Sequence, residues 1–440
     1  MRKDEFVILV SSFSSIILPP SSLSLCLRVL IQQREMSKMT FEQQRETVRT
    51  LARQVVELAT SDEYEARRKR WHDVNALRKP DRFPVYCRPV GAWGELLTND
   101  DLTCTDPLCR SVEYTLKMNL IKHEIGDDDP IEPYWSVGAV FDQHTPHLWG
   151  IPIRHISSNT PGGAYKFDPP LKTEADFDKL MLPEYTYNEE KTNKSLTQMQ
   201  EFFGDVMEVR LTCSLPLHPG LGGMASELRG LDQLMYDMAD RPDLVHRLMK
   251  HLQEGILGVY KTYEDSGLLT LNNTGAMYCS DAPRKDAKNI KLNDLWGHTE
   301  SQEFQEISPA MWEEFLLSYQ IPILEKFWLT SYGCCENLTR KLDGVLSIPN
   351  LRIFVSSAWT DLAKVAEAVG NKYTIMWRQK ATDVVFNDLY SIRKHLEEGV
   401  KIVKDCYVQI VLRELQTLNG NNQRLKEWAS IAKEITEKYA

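Results

Sequence analysis

The chain has 440 residues, of which 42% are hydrophobic and 26% are charged, an ordinary composition for a globular protein with a large core. Its formal net charge of −10 excludes a protein that binds nucleic acid through a broad basic face, because neutralising phosphates requires clustered lysine and arginine. The nine cysteines show no disulfide-framework spacing, and the closest pair is the adjacent Cys334 and Cys335. We therefore expect reduced thiols in a cytoplasmic protein.

Residues 1–35 differ from the rest of the chain. An apolar, serine-rich stretch runs from Phe6 to Ile31, and Pro19–Pro20 divides it in the middle. The proline pair argues against a membrane-spanning helix, and the interior Arg28 argues against a signal peptide. We predict a leader that is not part of the fold, with a targeting segment or a genuine extension as alternatives, and one domain over 36–440.

The first half of that domain alternates periodic and irregular segments. Residues 40–78 predict one or two amphipathic helices, and Phe83–Cys87 predicts the first buried strand. Residues 124–185 are rich in proline, glycine and aspartate and lack periodicity, which indicates an elaborated loop region. Within that region, Asp127–Asp129 is either a site for a hard cation or a run of acids that faces water. Residues 206–213 then predict another strand.

The second half is more regular. Leu231–Leu257 predicts a helix, and Leu268–Asn273 predicts a strand that ends in polar residues. Four strand–helix units follow, with strands predicted over 328–332, 351–355, 373–377 and 407–412 and helices over 338–345, 361–369, 387–404 and 423–438. Such units indicate parallel strands. No glycine-rich dinucleotide-binding motif follows a strand, so we favour a (β/α)8 TIM barrel with an N-terminal helical extension over a doubly wound sheet.

In such a barrel the active site lies at the carboxyl ends of the strands. This rule selects a set of soft metal ligands, carboxylates, amides and cations, in which we see no Ser–His–Asp arrangement. The residues expected to contact substrate are Arg88, Asn272, Asn273, Tyr332, Trp296 and Arg378. The residues expected to carry the chemistry are Cys335, Glu336, Glu414 and Glu303.

The run Ser331–Asn337 is the most specific of these segments. A thiolate beside a carboxylate at a strand end can bind zinc, so Cys335 and Glu336 are the predicted metal ligands. Alternatively, one cysteine packs as a small apolar residue and Glu336 stabilises the start of the next helix. Adjacent side chains on a regular strand point to opposite faces, so only one of Cys334 and Cys335 should face the pocket.

The remaining candidates leave two interpretations open. Glu414, beside Arg413, either lies in the pocket or forms an ion pair at its rim. Residues 296–303 read as a polar loop in which Glu303 is an acid–base group or a solvated carboxylate. We interpret His144, His147 and His218 as structural.

Several motifs resemble a large group within the uroporphyrinogen decarboxylase superfamily, and the resemblance covers roughly residues 40–440. The matching segments are 128–133, 161–164, 168–172, 332–336, 348–352, 356–361 and 423–428. Authentic decarboxylases of this superfamily carry two arginines after the first strand, and here Arg88 stands alone. The corrinoid-linked methyltransferases carry a His-x-Cys zinc motif and a later cysteine. Here Gly333 or Tyr332 stands at the histidine position, and there is no cysteine near Glu414.

The resemblance therefore implies an enzyme of the methyltransferase branch, which moves a methyl group from a small, methoxylated or methylamine-type donor to a corrinoid protein. It further implies that Cys335, Glu336 and Glu414 form either an altered zinc site or a metal-free acid–base site. The rival predictions are a decarboxylase or lyase with Arg88 and Arg378 as anion clamps, and a barrel that only binds a ligand. We expect no nucleic-acid or membrane partner.

Overall fold

The computed structural model describes residues 39–157, 166–284 and 288–440. The predicted leader (1–35) and the motif at 161–164 lie outside the described residues, so both remain predictions. In the described part, no helix has the length and apolar character needed to cross a membrane.

The strands of the described residues fall into one main sheet and three small pairs. In chain order they are β1 (Val85–Pro89), β2 (Tyr134–Gly138), β3 (Phe141–Gln143), β4 (Arg154–Ile156), β5 (Lys166–Asp168), β6 (Tyr185–Tyr187), β7 (Glu208–Thr212), β8 (Trp296–Thr299), β9 (Leu329–Tyr332), β10 (Leu351–Ser356), β11 (Thr374–Gln379) and β12 (Tyr407–Leu415). The main sheet has the order β1-β12-β11-β10-β9-β8, and all its pairs are parallel.

Helices precede the first strand and connect the later ones. In chain order they are α1 (Phe41–Ala59), α2 (Asp62–Asn75), α3 (Trp93–Leu96), α4 (Pro107–Ile125), α5 (Glu189–Phe203), α6 (Leu221–Arg229), α7 (Leu231–Asp240), α8 (Pro242–Asp265), α9 (Pro309–Trp312), α10 (Ser318–Leu324), α11 (Leu342–Leu346), α12 (Leu362–Val369), α13 (Ala381–Phe386), α14 (Leu389–Val403) and α15 (Arg424–Lys438). A π-helical turn, Glu313–Leu317, joins α9 to α10.

The main sheet confirms the predicted α/β class with parallel strands, and its last strand pairs with its first. It curls through six strands and is not a closed ring in the described residues, because β2 and β7 form a separate parallel pair. A single backbone hydrogen bond, from Thr270 N to Cys213 O, links the end of β7 to the segment that was predicted as a strand over Leu268–Asn273. That segment has no regular strand structure, so the strand prediction there was wrong.

The two faces of the main sheet bury different clusters. On one face, side chains such as Phe354, Ile375 and Ile410 join the large core formed with the helices. On the other, concave face, alternate residues form a second cluster whose members on the sheet are Trp296, Leu329, Ile353, Val355, Met376 and Val411. The period of two along each strand therefore assigns every second residue to the concave face.

Three element predictions require correction. Residues 296–299 are strand β8 rather than loop, because Leu295 and Trp296 anchor them in the core. The helix predicted over 338–345 is the short α11, which begins only at Leu342. The helix predicted over Leu231–Leu257 is interrupted between α7 and α8, where Pro242 supplies the first residue of the second helix.

The acidic run Asp127–Asp129 does not face water. Asp128 is 1% exposed and accepts hydrogen bonds from the guanidinium groups of Arg70 and Arg82 and from Val85 N. Asp127 is buried against Lys122, and its carboxylate accepts a hydrogen bond from Cys87 N at 2.7 Å. Asp128 therefore attaches the helical N-terminal segment to strand β1, and Asp127 attaches α4 to the same strand.

Candidate active site

Polar side chains line the concave face at the carboxyl ends of the main-sheet strands. His298 on β8, Ser331 on β9, Arg378 on β11 and Arg413 on β12 each lie two residues beyond a member of the concave apolar cluster. The alternation of strand side chains therefore places these four residues on the concave face, in a polar layer toward the carboxyl ends of the strands. We call this layer the mouth of the sheet.

Cys334 and Cys335 follow β9 directly, and both sulfur atoms lie at the mouth. β9 ends at Tyr332, and Gly333 has a φ of 113°, so the chain leaves the extended conformation before the two cysteines. Their Sγ atoms are 3.9 Å apart, and Cys335 Sγ lies 3.3 Å from Glu414 Oε2. The expectation that only one thiol would face the pocket applied to a regular strand, and the strand ends before both residues.

Glu414 completes this group from the end of β12. Its φ of 58° is a left-handed conformation that non-glycine residues seldom adopt, and such strain is typical of functional sites. Its carboxylate forms an ion pair with Arg378, whose Nη2 also lies 3.6 Å from Cys335 Sγ. The predicted residues Cys335, Glu414 and Arg378 are thus brought together.

The arginines of the mouth have unused hydrogen-bonding capacity. Arg378 is 3% exposed, and its Nη1 has no hydrogen-bond partner among the described residues. Arg413 Nε also lacks a hydrogen bond within the described part of the chain and lies 3.8 Å from Glu414 Oε1. Burial and then the charges of Arg378 and Arg88 lower the pKa of Arg413, so the three cations share one region. Arg88 itself is exposed, after β1.

The pKa values of the two adjacent thiols are shifted in opposite directions. A hydrogen bond from Cys335 lowers the pKa of Cys334, and the nearby charges of Arg378 and Arg413 lower it further against the effect of burial. The same hydrogen bond and burial raise the pKa of Cys335. The first proton therefore leaves Cys334, which makes Cys334 the thiolate of the pair.

Glu336 does not lie in this thiol group. Its carboxylate is fully buried and accepts hydrogen bonds from Ser301 N and Cys334 N, both at 2.8 Å. These contacts hold the turn that carries the cysteines to the end of β8. Glu336 therefore positions Cys334 through the backbone, and Glu414 occupies the place that we predicted for Glu336 beside Cys335.

A second group of carboxyls surrounds the end of β8. Burial, and then the negative charge of Glu303, raise the pKa of Glu300 to about 8. Burial also raises the pKa of Glu303, whose Oε2 has no hydrogen-bond partner in the part of the chain that the structure describes. Glu303 lies against the first turn of α6, beside Gly222. Glu300 is therefore protonated at neutral pH.

A hydrogen-bonded chain crosses the mouth. Tyr278 Oη lies 3.1 Å from Ser331 Oγ, which lies 2.7 Å from His298 Nδ1. Burial, and then the charges of His218, Arg413 and Arg378, lower the pKa of His298 well below its usual value. His298 is therefore a neutral imidazole whose second nitrogen remains available to a ligand.

Other predicted substrate residues bond to protein groups. Asn272 exchanges two hydrogen bonds of 2.9 Å with the backbone of Trp296. Asn273 Nδ2 donates to Ser280 O, and Trp296 Nε1 donates to Ser280 Oγ. These three predicted residues therefore hold β8 in place beside the segment that precedes it.

Tyr332 lies on the opposite face of the sheet from the mouth. It is fully buried, accepts a hydrogen bond from Trp312 Nε1 at 3.0 Å and donates one to Gln320 Oε1 at 2.9 Å. The structure thus places the side chain of Tyr332 among the helices, away from Cys334 and Cys335.

Four residues at or near the mouth were not among those predicted from the sequence: Tyr278, His298, Glu300 and Ser331. The sequence does contain a strand-like pattern for two of them, because Trp296, His298 and Glu300 are spaced two residues apart. Had residues 296–300 been read as a strand, that period would have placed both at its inward-facing carboxyl end. Tyr278 reaches the mouth from an irregular segment, for which local sequence patterns carry no signal.

The two thiols and the Glu414 carboxylate form a set of atoms suited to binding a metal ion. The ligand atoms of Cys334, Cys335 and Glu414 lie within 4.8 Å of one another, and within the described ranges no other three His, Cys, Asp or Glu residues do so. Two sulfurs and one carboxylate oxygen are ligands that zinc accepts, and three protein ligands leave the fourth position open. The residues present therefore fit a zinc ion.

Comparisons with known proteins give little further information. A scan against protein-family models and a search of curated proteins both returned no match. Among solved structures, the chain is similar to a methyltransferase from Methanosarcina mazei, with a TM-score of 0.46 and 13% sequence identity. The similarity covers 84% of this chain and 98% of that one. A TM-score of this size carries no argument about function.

Proposed function

We propose that this protein is a methyltransferase that takes a methyl group from a small donor and passes it to the corrinoid of a separate protein. The observation that carries the proposal is the thiol–carboxylate group of Cys334, Cys335 and Glu414 at the mouth of the sheet. A thiolate with a lowered pKa and an open ligand position is suited to methyl-transfer chemistry.

Cys334, Cys335 and Glu414 would hold the zinc ion in this proposal. The ion would supply a Lewis acid at the mouth when bound. Arg378 orients Glu414 through their ion pair and neutralises part of the charge of the thiolate and the carboxylate. His298, held neutral and tied to Ser331, presents its free ring nitrogen to the donor.

The position of the site suits a large planar partner group. The strand ends of a curled parallel sheet form an open surface, and we propose that a closed (β/α)8 barrel frames it. A corrinoid presented by a partner protein would approach over this surface. Transfer inside a pocket covered by helices would not offer the same access.

The test is incubation of the purified chain with cob(I)alamin and a panel of methoxylated and methylated-amine donors, read as methylcobalamin formation. We expect methylcobalamin with at least one donor and zinc in the purified protein by elemental analysis. Cys335→Ser should lose the metal, while Cys406→Ser, a half-buried thiol away from the mouth, should keep it. The absence of methylcobalamin with every donor would refute the proposal.

A decarboxylase is the second candidate, and a specific observation favours it. Arg378 Nη1 and Arg413 Nε lack hydrogen-bond partners among the described residues, as expected of groups that bind a substrate carboxylate. Release of carbon dioxide from a carboxylated substrate, without methylcobalamin formation, would establish this candidate instead.

A further inference from the structure

We propose that hydrogen peroxide joins Cys334 and Cys335 in a reversible disulfide, and that this bond switches off metal binding at the mouth of the sheet. Formation of the disulfide needs only the two thiols. Loss of the metal rests on the proposed function, in which these thiols and Glu414 hold a zinc ion. The thiol pair is then both a site of oxidative modification and the point at which an oxidant controls the metal content.

Cys334 and Cys335 are a pair of thiols already in contact. Their Sγ atoms are 3.9 Å apart, and no other two cysteines of the described residues are joined by a sulfur–sulfur hydrogen bond. The bond length of a disulfide is about 2.05 Å, so the two sulfurs must approach each other by roughly 2 Å. Rotation of the two side chains about their Cα–Cβ bonds can supply a movement of this size.

The backbone between the two cysteines can adjust to such a bond. β9 has already ended, and neither Cys334 O nor Cys335 N makes a hydrogen bond within the described residues. The turn is held on its two sides instead: Gly333 N donates to Thr299 O at 3.0 Å, and the Glu336 carboxylate accepts from Cys334 N at 2.8 Å. The peptide that a disulfide would twist is therefore not part of the sheet, while the contacts beside it keep the turn in place.

Both sulfurs are within reach of a small oxidant. Cys334 and Cys335 are half-buried at the open strand ends, whereas Cys213 and Cys279 are buried in the core. Because the oxidation of a thiol depends on its exposure, peroxide should reach the pair before it reaches the core thiols. Cys406 is also half-buried, but its sulfur contacts a backbone carbonyl and no second thiol within the described residues. Cys406 therefore has no neighbour with which to form a disulfide.

The adjacency of the two residues makes the proposed disulfide easy to reduce. Neighbouring Cα atoms are about 3.8 Å apart, whereas the Cα atoms of ordinary disulfides lie about 4.4–6.8 Å apart. The bond would therefore strain the turn, and strained or exposed disulfides are the ones that are readily reduced. A dithiol reductant should restore both thiols, as a switch requires and a permanent crosslink does not.

The oxidation consumes one molecule of hydrogen peroxide. One sulfur attacks a peroxide oxygen and the O–O bond breaks, which gives a sulfenic acid and, once the thiol proton has moved to the departing oxygen, water. The second sulfur then attacks the sulfenic sulfur, the S–O bond breaks, and the departing oxygen takes the second thiol proton as the S–S bond forms. The two sulfurs lose two electrons and the peroxide oxygens gain them, so the products are one disulfide and two molecules of water.

The disulfide would remove two of the three atoms suited to binding the metal ion. Cys334 and Cys335 supply both sulfur ligands, and the Glu414 carboxylate alone would remain. Zinc is bound by thiolates, and a neutral disulfide offers none. Arg378 would still pair with Glu414, so the rest of the mouth should keep its arrangement. We therefore expect the metal to leave while the fold stays intact.

Mass spectrometry of the peroxide-treated full chain tests the disulfide. Trypsin cleaves after Lys326 and Arg340 and releases one peptide whose cysteines are Cys334 and Cys335. We expect this peptide to lose the mass of two hydrogen atoms before any other cysteine peptide gains oxygen, and dithiothreitol to restore it. The control Cys406→Ser should behave as wild type, and Cys335→Ser should instead gain oxygen at Cys334.

Three results of that experiment would overturn the proposal. They are a wild-type peptide that gains oxygen without losing hydrogen, a disulfide that joins two chains, and a peptide that stays unchanged while other cysteines are oxidised.

Release of zinc tests the link to the metal. Zinc-loaded protein is treated with peroxide, and free zinc is measured with a zinc-chelating dye. We expect zinc to be released in step with the disulfide and to rebind after dithiothreitol, equally in wild type and Cys406→Ser. Disulfide formation with zinc retained would overturn the switch.

Failure of the proposed function gives different results. A protein that forms the disulfide but binds no zinc would refute the metal site, and with it the control of metal content, and would leave the disulfide standing. Normal zinc release without methylcobalamin from any donor would refute the proposed function alone.

Discussion

At the scale of single residues, the lowered pKa of Cys334 predicts the order in which the cysteines react with an alkylating reagent. In the metal-free protein, iodoacetamide should modify Cys334 before any other described cysteine and at a lower pH. The hydrogen bond from Cys335 and the neighbouring arginines lower the pKa of Cys334, whereas burial raises the pKa of thiols such as Cys279 and Cys213. Mass spectrometry after graded exposure measures the order. In Arg413→Met, labelling of Cys334 should shift to higher pH. Earlier labelling of Cys406, whose pKa burial raises, would contradict this assignment.

Asp128 provides a stability prediction at the same scale. Asp128→Asn should lower the free energy of unfolding by about 3–5 kcal/mol, because it leaves the buried cations of Arg70 and Arg82 without their shared counter-charge. Urea denaturation measures the loss. The control is Glu434→Gln, which breaks the exposed pair with Arg393 and should cost at most about 1 kcal/mol. Similar losses in both variants would contradict the structural role of Asp128.

The same carboxylate predicts acid sensitivity. Burial tends to raise the pKa of Asp128, but hydrogen bonds from Arg82 and the charges of Arg82 and Arg70 outweigh it and lower the pKa in the folded protein. A depressed folded-state pKa contributes stability above the unfolded value of about 3.9, and this contribution is lost as the pH falls below that value. The difference in unfolding free energy between wild type and Asp128→Asn should therefore shrink on acidification. A constant difference down to that range would contradict the linkage.

At the scale of elements, the end of β9 decides the geometry of the candidate site. Gly333→Ala should destabilise the fold by about 1–3 kcal/mol, since φ is 113° and the new Cβ would lie 2.8 Å from Leu338 Cδ1 and 3.0 Å from Val355 O. Its zinc content should also fall, because the turn carries both cysteines. The matched control is Gly258→Ala within α8, where a Cβ meets nothing within 4 Å, so helix propensity should stabilise by about 0.5–1 kcal/mol.

The prediction of helices and strands was correct for long periodic segments and wrong for short ones. The one or two amphipathic helices predicted over 40–78 are α1 and α2, because the apolar stripe that packs α1 against the core is visible in the sequence. β8 was missed because four residues that include Gly297 and His298 carry too little strand pattern. It is a strand because β9 pairs with it and the core buries Trp296, and both are tertiary contacts.

At the scale of the whole molecule, the separation of residues 1–35 from the domain remains a prediction. Deleting them should leave the thermal unfolding midpoint unchanged, because the described helices and strands begin at Phe41. Comparison of the full chain with the shortened chain by calorimetry measures this. A shortened chain that fails to fold, or that melts several degrees lower, would show that the leader contributes to the domain.

The sequence by itself determined the parallel α/β class, the positions of most strands and helices, and the selection of Cys335, Glu414 and Arg378. Periodicity and the rule that barrel sites lie at strand ends are properties of short segments, so they can be read from the chain. Only the tertiary structure decided that the sulfurs of Cys334 and Cys335 lie together and that Glu336 is turned to backbone amides. It alone also brought Tyr278 and Ser331 to His298. Those arrangements depend on distances between strands far apart in sequence and on one glycine turn, which no local pattern encodes.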